Sequence, residues 1–244
     1  HIRKVSTHKK LLKSFGRIGM CINDKTPSSI SVDGLDKVCF VLVNDYEDQD
    51  NELGVGPLND GYLVGLKHHR FGYKVFYLYN PRSDEFTSFL GFFLRETQSS
   101  LTVFYSGRNT NGNQGIEFND CSLSRDSIGN TICSNCTGKP HVVFISDCIG
   151  SGSVFNIHAT NPNCKPTTNL ISFFVDKVCS DESKESRRSQ GIFTYYFCKI
   201  TSDCPNITPS RLVERMAPSL RRFNETFRCE FTEQSLYDSP VFFN

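Results

Sequence analysis

The sequence predicts an α/β domain: a mostly parallel central sheet flanked by helices. Two observations carry this expectation. Residues 38–43 and 142–145 are continuous apolar runs, as strands covered on both faces require. Between such runs lie segments whose apolar residues recur at helical spacing, the pattern of crossover connections between parallel strands.

Taken in order, residues 1–36 read as an N-terminal appendage, with Leu11, Leu12 and Phe15 on one short helix and a polar stretch at Pro27, Ser28 and Ser29. Residues 37–244 form the main domain. Its first strand is the run 38–43. Leu58, Tyr62 and Leu66 then mark a helix that Gly72 closes from its C′ side. Residues 75–79 give a second strand. Ser83 is placed to cap a helix carrying Phe86, Phe89, Leu90 and Phe93 on one face. Residues 101–105, 142–145 and 170–175 supply three more strands, and 191–200 a helix. Thr208 followed by Pro209 has the form of a capping residue and a first helical position. Short apolar pieces near Phe227 and Val241 end the chain.

Composition narrows the function. A chain of 244 residues can bury one substantial core without metals or disulfides. Its net charge of +1 argues against nucleic acid as a partner. No apolar run approaches the roughly 20 residues that span a membrane, so no membrane role is expected; the cytoplasmic location expected for the chain rests on its cysteines. The eleven cysteines are scattered, and Cys39 and Cys198 sit inside apolar runs, which reads as mostly unpaired thiols in a reducing compartment. Three glycosylation acceptor patterns, beginning at Asn135, Asn206 and Asn224, weigh mildly the other way.

Open α/β sheets bind ligands beyond the carboxyl ends of their strands. That rule points to Ser106-Gly107-Arg108-Asn109 and to Asp147-Cys148-Ile149-Gly150-Ser151-Gly152. A cysteine ending a buried strand before a glycine turn is a way to present a nucleophile. The backbone around Gly107 and Gly150 is free to turn and aim N–H groups at an oxyanion.

Several of these segments, in this order, resemble the metacaspases and related caspase-like cysteine peptidases. Phe104-Tyr105-Ser106-Gly107 is similar to the strand that in metacaspases ends in Tyr-Ser-Gly-His-Gly. Ile145-Ser146-Asp147-Cys148, with Ser151-Gly152, resembles Asp-Ser-Cys-His-Ser-Gly. Leu58-Asn59-Asp60, Cys179-Ser180-Asp181-Glu182 and residues 191–195 resemble three further stretches. The resemblance covers residues 37–244 and implies the caspase-haemoglobinase fold. It places Cys148 in the nucleophile position, and it places Asp60, Ser106, Asp181 and Glu182 around a pocket for a substrate Arg or Lys.

The departures are chemical. The base histidine of the family falls on Arg108, and a guanidinium accepts no proton near neutral pH. The nucleophile turn is one residue longer and carries Ile149-Gly150 where a histidine is usual. The resulting expectation is a pseudopeptidase that acts by binding a protein or peptide partner, an active metacaspase among the candidates. The competing reading is a working endopeptidase cleaving after Arg or Lys, with Cys148 as nucleophile and His158 as an atypical base. His68, His69 and His141 are placed too far along their elements to serve.

No cofactor is expected. The calcium region of the family matches Glu117-Phe118-Asn119-Asp120 and Ser124-Arg125-Asp126, which keeps few of the six to eight oxygens calcium takes and adds a cation. The single Cys133-Ser134-Asn135-Cys136 motif lacks the second ligand pair of a zinc site, so no metal is assigned. Ser186-Arg187-Arg188-Ser189 lies in a charged stretch open to a basic-specific protease. A monomer is expected over a dimer.

Overall fold

The chain is described by a computed structural model at residues 2–50, 52–110, 115–150, 152–177 and 191–242, without the side chains of residues 2–7 and 177. Its elements run α1 (Ile2–Ile18), β1 (Gly19–Cys21), β2 (Lys37–Val43), α2 (Gly56–Arg70), β3 (Lys74–Tyr79), α3 (Ser83–Glu96) and β4 (Ser100–Arg108). A small hairpin, β5 (Ile116–Glu117) and β6 (Ser122–Leu123), precedes α4 (Arg125–Asn135) and β7 (His141–Ile149). The rest is β8 (Leu170–Lys177), α5 (Ile192–Asp203), α6 (Pro209–Arg221) and β9 (Glu225–Phe231).

Among the described residues seven strands form one sheet in the order β1-β3-β2-β4-β7-β8-β9. Every pairing is parallel except β8 with β9. The apolar runs become strands because helices cover both faces. On one face α3 and α4 bring Phe86, Phe89, Leu90, Phe93, Ile128 and Ile132 against Phe40, Val103 and Phe144. On the other, α1, α2, α5 and α6 bring Phe15, Leu58, Phe193, Phe197, Leu212 and Met216 against Val41, Phe104, Ile145 and Phe173. Burying each such large side chain contributes about 1.5–3 kcal/mol before chain entropy is charged against it.

Local signals set the helix ends. Gly72, at φ 79°, ends α2 in the left-handed region that favours glycine. The Thr208 hydroxyl accepts from the Arg211 N–H to start α6. The expected cap of α3 moves by one residue: Arg82 holds the N-cap position, and Ser83 is the first helical residue. The physical reason is Asp120, which reaches across from the β5–β6 turn. Its carboxylate accepts from the Ser83 N–H at 3.0 Å and from the Ser83 hydroxyl at 2.9 Å.

Both site strands run further than their apolar cores suggest. β4 extends through Arg108 and β7 through Ile149, pairing Ser106 with Asp147, Gly107 with Cys148 and Arg108 with Ile149. Cys148 therefore lies inside the ladder, and the turn begins only at Gly150. No helix among the described residues is long and apolar enough to cross a membrane.

Candidate functional site

The carboxyl ends of β2, β4 and β7 meet the amino ends of α2 and α5. Side chains alternate across a strand, so Asp147 and Cys148 leave β7 on opposite faces. Register partners in neighbouring strands share a face, which puts Ser106 with Asp147 and Arg108 with Ile149.

On the α2–α5 face two carboxylates converge. Asp60, in the second turn of α2, is 4 % exposed, and Asp147 is 7 % exposed. Asp60 accepts from the Gly191 N–H at 2.7 Å and from the Ser106 hydroxyl at 3.4 Å. Asp147 Oδ2 accepts from the Thr194 hydroxyl at 2.6 Å and from the Thr194 N–H at 3.2 Å. Gly191 is the N-cap residue of α5, so both acids sit where the first turn offers unpaired N–H groups and the positive end of the helix dipole. A side chain there would crowd both carboxylates. A Cβ on residue 191 would stand 2.1 Å from Asp147 Oδ2 and 2.8 Å from Asp60 Oδ2.

Cys148 faces the other way. It is 3 % exposed and belongs to the apolar cluster under α3, with Tyr105, Phe118, Val154 and Phe155. Two phenols lie on this side. Burial pushes Tyr46 up to about 12 and Tyr105 well above its ordinary pKa, and the nearby Cys148 thiol adds to both rises. Both phenols are tied to backbone: Tyr46 donates to the Glu117 carbonyl at 2.8 Å, and Tyr105 to the Arg108 carbonyl at 2.6 Å. The Arg108 N–H in turn donates to the Tyr46 hydroxyl at 3.1 Å. Tyr46 thus continues the role of β2 beyond Val43, holding the last residue of β4 in place.

The glycines have packing duties. A Cβ on Gly107 would stand 2.4 Å from the Tyr105 hydroxyl, so its bare backbone lets the phenol fold over it. Gly150, at φ 111°, receives the Asn109 side chain, whose Oδ1 lies 1.9 Å from where a Cβ would be.

The structure therefore brings Asp60, Ser106 and Asp147 together and leaves Cys148 across the sheet from them. Asp181, Glu182 and the 186–189 stretch fall outside the described residues. Asp147, Gly191 and Thr194 were not expected as one group. The alternation of Val143, Ile145 and Asp147 along β7 was the available signal for the face of Asp147.

The histidines are held elsewhere. His68 is buried, its Nδ1 donating to the Val64 carbonyl at 2.8 Å and its Nε2 meeting the Thr102 hydroxyl at 2.9 Å. Burial, then the Lys67 charge, drive its pKa well below the ordinary value. His141 starts β7, at the far end of the strand, and contacts Asn169 and Val241. His158 is exposed, its N–H held by Asn156, which reaches Asp126 at the start of α4. His8, absent from the expectations, sits beside Tyr79 and Asp45 at the ends of β3 and β2. In the calcium-like region Asp120 holds Ser83, while Arg125 pairs with Glu230 at 3.2 Å. Among the described residues no three His, Cys, Asp or Glu side chains gather as metal ligands.

Solved structures share this architecture. The initiator caspase Dronc of Drosophila superposes with a TM-score of 0.59 at 14% identity, over 85% of this chain and 85% of that one. Caspase-1 of Spodoptera frugiperda gives 0.55 at 11% identity, over 80% and 86%. Protein GSU0716 of Geobacter sulfurreducens gives 0.56 at 13% identity, over 84% and 98%. No protein-family model and no curated protein matches the sequence. The chain thus has the caspase-like fold, the α/β architecture of the caspase-haemoglobinase class that its motifs resemble.

Proposed function

We propose that the chain is a metacaspase-type pseudopeptidase, a cytoplasmic monomer that binds an Arg- or Lys-bearing segment of a protein partner without cleaving it. One observation carries the reading. β7 sends Asp147 to the α5 side and Cys148 to the α3 side, so the acids that would hold a basic residue and the thiol that would attack beside it do not share a face. The position next to Arg108 on the acid side is Ile149, which has no nucleophile. Arg108 itself can neither take the thiol proton nor return one to a leaving amine, a contribution typically of about 10²–10⁴-fold.

Binding is supported by the acids. Asp147 directs only Oδ2 to Thr194, and a carboxylate has room for further donors on its second oxygen. A pair of desolvated carboxylates selects a cation over a neutral side chain of the same shape. For the monomer, the edge strand β9 carries Glu225, Arg228 and Glu230, charges that discourage edge-to-edge pairing.

Fluorescence anisotropy with Arg-ended, Lys-ended and citrulline-ended peptides tests the reading on wild type and Asp60→Asn. Arg and Lys peptides should bind at least tenfold tighter than the citrulline isostere, lose that preference in Asp60→Asn, and be recovered intact by mass spectrometry. Equal binding of citrulline, or recovered cleavage products, contradicts it.

A further inference from the structure

A second site lies on the same helices but away from the acids. A pocket of about 310 Å³ opens between α2 and α5, with Lys67, Arg70 and Phe71 on one side and Tyr195, Cys198 and Lys199 on the other. That volume is at the lower end of small-molecule sites, roughly 300–1,000 Å³. Among the described residues its lining holds three cations and no acid.

Lys67 is the unusual member. It is 6 % exposed, although lysine is almost never buried without a partner. Its ammonium stands over the rings of Phe242 at 3.9 Å and Phe71 at 4.8 Å. Among the described residues no carboxylate or hydrogen-bond acceptor reaches it; its neighbours Cys39 and Cys198 are buried thiols. A desolvated cation at the wall of an apolar pocket, with Arg70 and Lys199 at the rim, is a site complementary to an anion with an apolar body.

We propose that this pocket binds a small amphipathic carboxylate, its apolar part against Leu63, Leu66, Phe71 and Tyr195 and its anion on Lys67. Lys67 supplies the charge-assisted hydrogen bond, and Arg70 and Lys199 steer the ligand in. Because the pocket lies between the two helices whose amino ends carry Asp60 and Gly191, its occupant also fixes their spacing.

The probe is decanoate, titrated by calorimetry and thermal shift into the whole chain, with decanol as the uncharged control. Decanoate should bind saturably and raise the melting temperature, whereas decanol should bind at least tenfold more weakly. Lys67→Met, close in volume, should lose tenfold or more of decanoate affinity, the scale of one hydrogen bond to a charged group. A readout on the unmodified chain avoids dependence on the variant's folding: decanoate should shift the side-chain NMR signal of Lys67 saturably, but not those of Lys9 or Lys10 on α1. No saturable binding, equal binding of decanol, unchanged affinity in Lys67→Met, or an unmoved Lys67 signal each overturns the proposal.

Discussion

Asp147 and Thr194 form a two-point contact, the Asp147 Oδ2 atom taking both the hydroxyl at 2.6 Å and the backbone N–H at 3.2 Å. The contact anchors the amino end of α5 to the residue next to Cys148. It also fixes the face of β7: with Asp147 bound to α5, its neighbour must point toward α3.

Thr194→Val removes the hydroxyl donor while keeping the shape. A hydrogen bond to a charged group contributes about 1.5–3 kcal/mol, so urea unfolding should show a loss on that scale. In a double-mutant cycle with Asp147→Asn the two losses should fall well short of additive. Additive losses would show that the two residues act separately.

Gly191→Ala places a methyl group against both carboxylates. The expected cost is about 1–3 kcal/mol, with the weakened binding of Arg-ended peptides that displaced acids imply. Unchanged stability and affinity in the alanine variant would mean the acids do not converge on this residue.

Cys148 should behave as a buried apolar group. Under native conditions iodoacetamide should label the exposed Cys21 and Cys121 first, with Cys148, Cys39 and Cys198 labelled only after unfolding. Cys148→Ala should cost about 1 kcal/mol, the scale of deleting one buried methyl-sized group. Rapid native labelling of Cys148 would place the thiol in the cleft instead.

Lys67 makes stability depend on pH in a defined direction. Burial lowers its pKa to about 8 from an ordinary 10.5. Below pH 8 the ammonium is charged in both folded and unfolded chains, and the full desolvation cost is present. Between about 8 and 10.5 the folded chain has released a proton that the unfolded chain still holds, so this cost fades as pH rises. Lys67→Met should therefore stabilise the chain at pH 7, by a gain on the order of 2 kcal/mol, and the gain should shrink toward pH 10. A gain that stays constant from pH 7 to 10 would contradict the assignment.

Much of the fold is legible in the sequence because both sheet faces are covered. Residues 38–43 and 142–145 can then be apolar throughout, and the helices between them keep one apolar face. The less regular elements are harder to read. β1 is three residues long, and β9 interleaves Glu225, Arg228 and Glu230 with Phe227 and Phe231. α4 packs through little more than Ile128 and Ile132, with Gly129 and Asn130 diluting its pattern. At the site, Asp60 and Ser106 can be named from their motifs, and they do meet. The face of Cys148 cannot be read the same way. It depends on how far β7 runs and on its register with β4, and the apolar run that marks the strand stops at Ile145, three residues before Cys148.

Peptide hydrolysis tests the central claim most directly. Purified wild type, Cys148→Ala and Arg108→His would be compared on fluorogenic Arg- and Lys-ended peptides, with and without millimolar calcium. The account predicts wild-type rates indistinguishable from Cys148→Ala, and no gain in Arg108→His, since a base on the acid face does not reach a thiol on the other. Turnover that vanishes in Cys148→Ala, in either the wild-type or the Arg108→His background, would contradict it.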